Sequence, residues 1–204
     1  ADIPKDITAA STEYIYPDEI SIRSYKPMTK GHTGQIKKAA DLIKQAERPM
    51  FYTGGGVILG NASSELTELV RFLGYPITNT LMGLGAYPSS DKQFVGMLGM
   101  HGTYEANMAM HEADLIISLG ARFDDRVTND PKKFCPDATI VHVDIDEASV
   151  SKIIEADIAV MADSSWFIEK IEKKCQGYLS QEQPGDREKR EEFSELWWSK
   201  IEAW

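Results

Sequence analysis

The glycines and charged residues of this chain gather into short runs whose types suit a phosphate-bearing, sugar-bearing ligand. Arg122-Phe123-Asp124-Asp125-Arg126-Val127 carries two guanidinium groups four residues apart. A guanidinium meets phosphate oxygens bidentately, although the same arginines could simply pair with Asp124 and Asp125. Gly99-Met100-His101-Gly102-Thr103 directly precedes an expected helix. The first amides of a helix have no intrahelical acceptor and lie at the positive end of the dipole, so this run is a candidate anion site. A plain Thr103 cap is the alternative. Asp144-Ile145-Asp146 offers carboxylates for ribose hydroxyls, and Asp146 could equally cap the next helix. Gly54-Gly55-Gly56 lets a backbone approach a ligand closely. It does not complete the fingerprint G-x-G-x-x-G, because Val57-Ile58-Leu59-Gly60 follows and the next helix is expected only near Ser63. A sharp turn without a ligand explains it nearly as well. His101 and Glu105 have i, i+4 spacing but no third ligand nearby, so no metal site is expected. His32, His111 and His142 show no assembled partner and read as structural. No nucleophile–base pair stands out, and no catalytic residue is assigned.

These runs matter only if the fold brings them together. Apolar spacing predicts a helix capped by Thr33 with Ile36, Ala39, Ala40 and Ile43 inward, ending at Pro49. A second helix, capped by Ser63 or Ser64, carries Leu66, Leu69, Val70 and Leu73 and stops at Gly74. A third follows Thr103 with Ala106, Ala109, Met110 and Ala113 inward. A short one is expected with Val150, Ile153 and Ile154, and a further one, capped by Ser164, bears Phe167, Ile168 and Ile171. Between them lie short strands at 50–53, 77–80, 115–119, 139–144 and 158–161, with a weaker one at 94–98. Leu115-Ile116-Ile117-Ser118-Leu119 is almost wholly apolar, as a strand covered on both faces must be. The alternation predicts a three-layer, Rossmann-like α/β fold: about six mainly parallel strands with helices on both faces. In such a sheet, ligands bind beyond the carboxyl ends of the strands. The residues to read are then Gly54, Gly55 and Gly56; Thr80 and Leu81; Gly120, Ala121 and Arg122; Asp144, Ile145 and Asp146; and Ala162 and Asp163. Together with Gly99 to Thr103 they outline a long cleft for an extended dinucleotide, without choosing flavin or nicotinamide.

The chain has 204 residues, 42% hydrophobic and 26% charged, enough for one large domain with tails. Its net charge of −10 disfavours nucleic acid and anionic membrane surfaces, and no local basic patch offsets it. No apolar run is long enough to span a bilayer, and no secretory signal is visible. Cys135 and Cys175 match no zinc or redox spacing, which reads as a reducing compartment. Residues 1–30, with Pro4, Pro17 and Pro27 among Tyr14, Tyr16 and Tyr25, read as a leading linker lying on a partly apolar surface, or as a disordered tail. Residues 31–178 form the domain. Residues 179–204 are a charged linker and an amphipathic helix with Phe193, Leu196, Trp197, Ile201 and Trp204 at helical spacing. Three tryptophans in the last eight residues want a partner surface.

At five of these segments, in order, the chain resembles the large catalytic subunit of the acetohydroxyacid (acetolactate) synthases. They are Phe51–Gly56, Leu81–Pro88, Met97–Thr103, Gly120–Val127 and His142–Asp146, within roughly residues 20–175. That family has three domains, of which the middle one binds FAD while the outer two hold thiamine diphosphate and Mg²⁺ between subunits. The resemblance implies that this chain is the middle domain. It implies FAD contacts at Gly54, Gly55 and Gly56, at Thr80 and Leu81, along His101 to Arg122, at Asp124, Arg126 and Val127, and along Asp144 to Asp163. The whole enzymes decarboxylate pyruvate on thiamine diphosphate and join the product to a second 2-oxo acid, on the way to branched-chain amino acids. They are homo-oligomers with a small regulatory subunit, cytoplasmic in bacteria and organellar in eukaryotes. The family's Gly-Asp-Gly followed by paired Asn is not in this sequence. The resemblance therefore predicts flanking domains elsewhere and no synthase activity in this stretch alone.

Overall fold

The computed structural model describes residues 2–22 and 26–204. In chain order the elements are α1 (Lys5–Ala9), α2 (Thr33–Gln45), β1 (Pro49–Thr53), α3 (Gly55–Leu59), α4 (Ser63–Leu73), β2 (Ile77–Asn79), a 3₁₀ turn at Leu81–Gly83, β3 (Phe94–Met97), α5 (Tyr104–Glu112), β4 (Leu115–Leu119), α6 (Asp125–Thr128), β5 (Thr139–Asp144), β6 (Ile158–Met161), α7 (Ser164–Leu179) and α8 (Pro184–Glu202). The six strands make one sheet in the order β3-β2-β1-β4-β5-β6, and every neighbouring pair is parallel. The order reverses direction between β1 and β4, and this is the topological switch point of a doubly wound sheet.

Side chains alternate across the sheet and feed two cores. Phe51, Ile77, Ile117, Val141, Val143 and Val160 pack under α2, α4 and α7. Met50, Tyr52, Ile116 and Ile140 face the other way, toward α5 and α8. Those two layers explain why β1 and β4 are buried at every position.

The structure corrects several local expectations. The cap of α2 is His32, whose Nδ1 accepts from the Gly34 amide at 3.1 Å, rather than Thr33. Ala62, not a serine side chain, sits at the start of α4. Asp163 caps α7 by accepting from the Ser165 amide at 2.8 Å, leaving Ser164 buried in the first turn. The helix expected around Val150–Ile154 is a series of turns. Asp146 accepts from the Ala148 amide, and Ser151 has a φ of +56°, which a right-handed helix cannot contain. At Gly74 the expected stop of α4 is present, with a left-handed φ of +76°.

The segment before α2 is exposed from residue 2 to residue 22, Tyr14 and Tyr16 included, and forms one unforeseen turn of helix, α1. Tyr25, expected to share its apolar character, lies outside the described residues. The tryptophans near the end of the chain face this domain. Trp197 is buried and its indole N–H donates to the Pro49 carbonyl at 3.1 Å; Trp198 donates to the Gly74 carbonyl at 2.9 Å. Helix α8 thus closes the edge where the strands begin, opposite the edge where they end.

Candidate functional site

All six strands run the same way, so their carboxyl ends form one rim, and the glycine, arginine and aspartate runs singled out in the sequence lie on it or in the loops it feeds, whereas the stretches from His101 to Arg122 and from Asp144 to Asp163 also take in α5, β4 and β6 away from the rim. With strands about 4.8 Å apart, the rim is about 24 Å wide from β3 to β6. The hydrogen-bond ladder continues past the strands into the site loops. Gly54 donates to the Leu119 carbonyl at 3.0 Å, Gly120 to Val143 at 2.9 Å, Thr80 to Thr53 at 2.8 Å, Leu98 to Asn79 at 3.1 Å, and Ala162 to Asp144 at 3.0 Å. The loops are therefore fixed by the sheet itself.

At the switch point the two glycine turns touch backbone to backbone. The Gly56 amide donates to the Gly120 carbonyl at 3.1 Å. A Cβ on Gly54 would lie 2.2 Å from that same oxygen, and a Cβ on Gly56 would lie 2.6 Å from the Gly120 Cα. Gly120 itself has a φ of +58°. The triple glycine is thus more than a permissive turn: no side chain fits at either position without moving β4's exit. It also opens a helix directly, because α3 starts at Gly55, where the sequence suggested no helix before Ser63.

After β4 the chain turns through Ala121, Arg122 and Phe123 into α6. Phe123 has a left-handed φ of +55° and its ring is buried against Tyr52, Phe134 and His142. That buried ring leaves its neighbours outside. Arg122 pairs with Asp124 at 2.9 Å, and Arg126 approaches Asp125 at 4.0 Å; the Arg122 and Asp124 side chains are 66% and 53% exposed. Such an exposed pair contributes little, so a pyrophosphate can compete for the guanidinium.

The Gly99–Thr103 run is built differently from the expected bank of free amides. Gly99 donates to Asn107 Oδ1, Met100 to the Arg126 carbonyl, Gly102 to Gly99 and Thr103 to Met97. Four of its five amides are therefore spent within the protein. Thr103 does cap α5, accepting from Ala106 at 3.2 Å. What the run presents is the exposed side chains of Met100 and His101. Asn107, which sequence reading passed over, staples the loop by also donating to the Gly99 and Thr103 carbonyls at 3.2 and 2.8 Å.

On the far side, Asp144 is buried and accepts from the Asp146 amide at 2.9 Å; burial pushes its carboxyl above the usual range. Asp146 is exposed and holds a turn through Ala148 and Ser149. Val127 and Ile145 are half-buried, Ala121 and Ala162 buried, and Leu81 exposed beside Met82. Among the described residues no three His, Cys, Asp or Glu side chains converge as metal ligands, and no helix is long and apolar enough to cross a membrane.

Residues 36–171 match the family described as thiamine pyrophosphate enzyme, central domain. The chain belongs to this family. As a thiamine pyrophosphate enzyme central domain it is similar to several longer proteins. It is 46% identical to an acetolactate synthase large subunit of Buchnera aphidicola, over all of this chain and 34% of that protein. It is 47% identical to the acetolactate synthase isozyme 3 large subunit of Escherichia coli, with the same coverage. It is 41% identical to an acetolactate synthase of Mycobacterium leprae, over 99% of this chain and 31% of that protein. The chain thus spans about a third of the length of the curated relatives it matches. The central-domain match covers the whole sheet from β1 to β6, with most of α2 and half of α7, and so includes every loop of the rim.

Proposed function

We propose that this central domain is the FAD-binding part of an acetolactate synthase large subunit. The supporting observation is the fused pair of glycine turns at the switch point, Gly54–Gly56 against Gly120, with the exposed Arg122 and Arg126 beside it. The residues fit the group. Two guanidinium groups suit a pyrophosphate, the exposed Asp146 carboxylate suits a ribose, and exposed Leu81, Met82 and Met100 offer an apolar bed for a ring system. Met82 lies against Gly55, so that bed adjoins the glycine turn. Bound there, FAD would supply a flavin that does no net redox chemistry. This chain's residues would do the holding: Arg122 and Arg126 would neutralise phosphate charge, and the glycine turns would leave the backbone open to the cofactor.

In this reading residues 1–30 and 179–204 connect to flanking domains that hold thiamine diphosphate and Mg²⁺. The assembled subunit condenses decarboxylated pyruvate with a second 2-oxo acid, as a homo-oligomer with a small regulatory subunit in the cytoplasm or an organelle. A flavin titration of the purified chain, read by absorbance and fluorescence, tests the proposal. Saturable FAD binding at one site, with NAD failing to compete, is expected, as is no acetolactate from the chain alone. Preference for NAD, or indifference to both, would overturn the cofactor assignment, and acetolactate formation would overturn the division of labour.

A further inference from the structure

On the face of the sheet that carries α5 and α8, the central strands present a polar row. Tyr52, Ser118 and His142 stand side by side at one register level of β1, β4 and β5. All three are buried, and the Tyr52 hydroxyl, the Ser118 hydroxyl and His142 Nδ1 have no hydrogen-bond partner among the described residues. Burying one such atom unpaired is costly, and protein interiors avoid it. The three atoms stand at adjacent positions but do not bond one another. The Phe123 ring lies over the row, 5.0 Å from the His142 ring and edge-on to it, and 5.1 Å from Tyr52.

His142 also reaches out of the row. Its Nε2 is 2.8 Å from the Ala121 carbonyl oxygen. A carbonyl only accepts, so Nε2 carries a proton, and in the neutral ring Nδ1 is then an acceptor. The hydroxyl of Ser118, one strand away at the same level, does not bond it. Ala121 stands between Gly120 and Arg122, in a loop with left-handed residues at Gly120 and Phe123. Such a loop does not hold its shape by backbone preference alone.

We propose that His142 is a positioning residue for the arginine-bearing loop: its Nε2–H holds the Ala121 carbonyl while the Phe123 ring packs edge-on against the imidazole, and together these contacts aim Arg122 along the rim. The use of that aim in FAD binding rests on the function proposed above; the latch itself does not.

Long-range ¹H–¹⁵N spectra of the wild-type chain read the tautomer directly. A neutral imidazole protonated at Nε2 is expected; an Nδ1–H tautomer or an imidazolium at pH 7 overturns the latch. Amide exchange locates the effect. In His142→Leu, residues 120–124 exchange at least tenfold faster while β1 and β4 stay protected, and His142→Gln, which keeps a donor, recovers part of that protection. Unchanged exchange in His142→Leu, or loosening spread evenly over the sheet, overturns the positioning role. FAD affinity falls at least tenfold in His142→Leu and less in His142→Gln. Equal affinity in wild type and His142→Leu overturns the aim, whereas a wild-type chain with the latch signatures but no FAD binding overturns the functional reading and leaves the latch standing.

Discussion

Arg122 is the residue on which the phosphate assignment turns. Among the described residues its one ion pair is with the exposed carboxylate of Asp124, and the buried Phe123 ring next to it leaves the guanidinium no way back into the core. Truncation to alanine removes a charge-assisted hydrogen bond without leaving an unpaired buried group. FAD binding in Arg122→Ala is therefore expected to weaken by about 1.5–3 kcal/mol at unchanged melting temperature, and calorimetric titration beside a thermal melt separates the two effects. The glycines make a different kind of demand. A methyl group at Gly56 meets the Gly120 backbone, which cannot swing away like a side chain. Gly56→Ala should cost about 1–3 kcal/mol as overpacking does, while Gly185→Ala, where a Cβ meets nothing within 4 Å, is expected to stabilise α8 by about 0.4–1 kcal/mol. Urea denaturation of both variants checks the contrast, and equal responses would mean that the switch point tolerates side chains.

At the scale of elements, the sequence showed strands and helices wherever burial imposes a period, and lost them where hydrogen bonds decide. The apolar run Leu115–Leu119 and the stripe from Ile36 to Ile43 were legible because each must face a core. The turns from Asp146 to Ile154 were read as a helix because Val150, Ile153 and Ile154 have helical spacing, but the Asp146 side chain and the left-handed Ser151 divert the backbone. The short helix α3 was missed because glycines advertise a turn; it forms because Gly54–Gly56 is pinned to β4's exit. Much of the rim was legible from the strand ends alone. The satisfied amides of Gly99–Thr103 were not, since Asn107 and the Arg126 carbonyl reach them from other parts of the fold. The role of α8 also emerges only in three dimensions. Trp197 is 2% exposed, fills the second core and donates to the first carbonyl of β1. Trp197→Ala is expected to destabilise the chain by about 3–5 kcal/mol, with Trp197→Phe, which keeps a ring and loses only the N–H, costing less in the same denaturation series.

The molecule as a whole separates its two edges. Helix α8 crosses the edge where the strands begin, and the rim where they end carries the loops, with Met28 and Thr29 also bonded there, to Ile145 and Asp163. Both edges are tied through the central strands, so a protonation event in the middle of the sheet is felt globally. His142 is that event. Burial holds its pKa below the ordinary 6.5, outweighing the Ala121 carbonyl and Asp144, which favour the charged ring. Below pH 6.5 the unfolded chain takes up a proton at this position that the folded chain refuses, so unfolding is favoured and stability falls as acid is added. Asp144 works in the opposite sense: its carboxyl is raised by burial, so the folded state gains protons relative to the unfolded one as pH drops toward the carboxylate range, and part of the loss is offset there. Urea midpoints measured from pH 7.5 down to pH 5.5 should decline in the wild type and decline less in His142→Gln, which has no ring to protonate. Parallel curves for the two proteins would mean that the imidazole titrates in the folded state as it does in the unfolded chain, and that the core around Phe123 admits the charge.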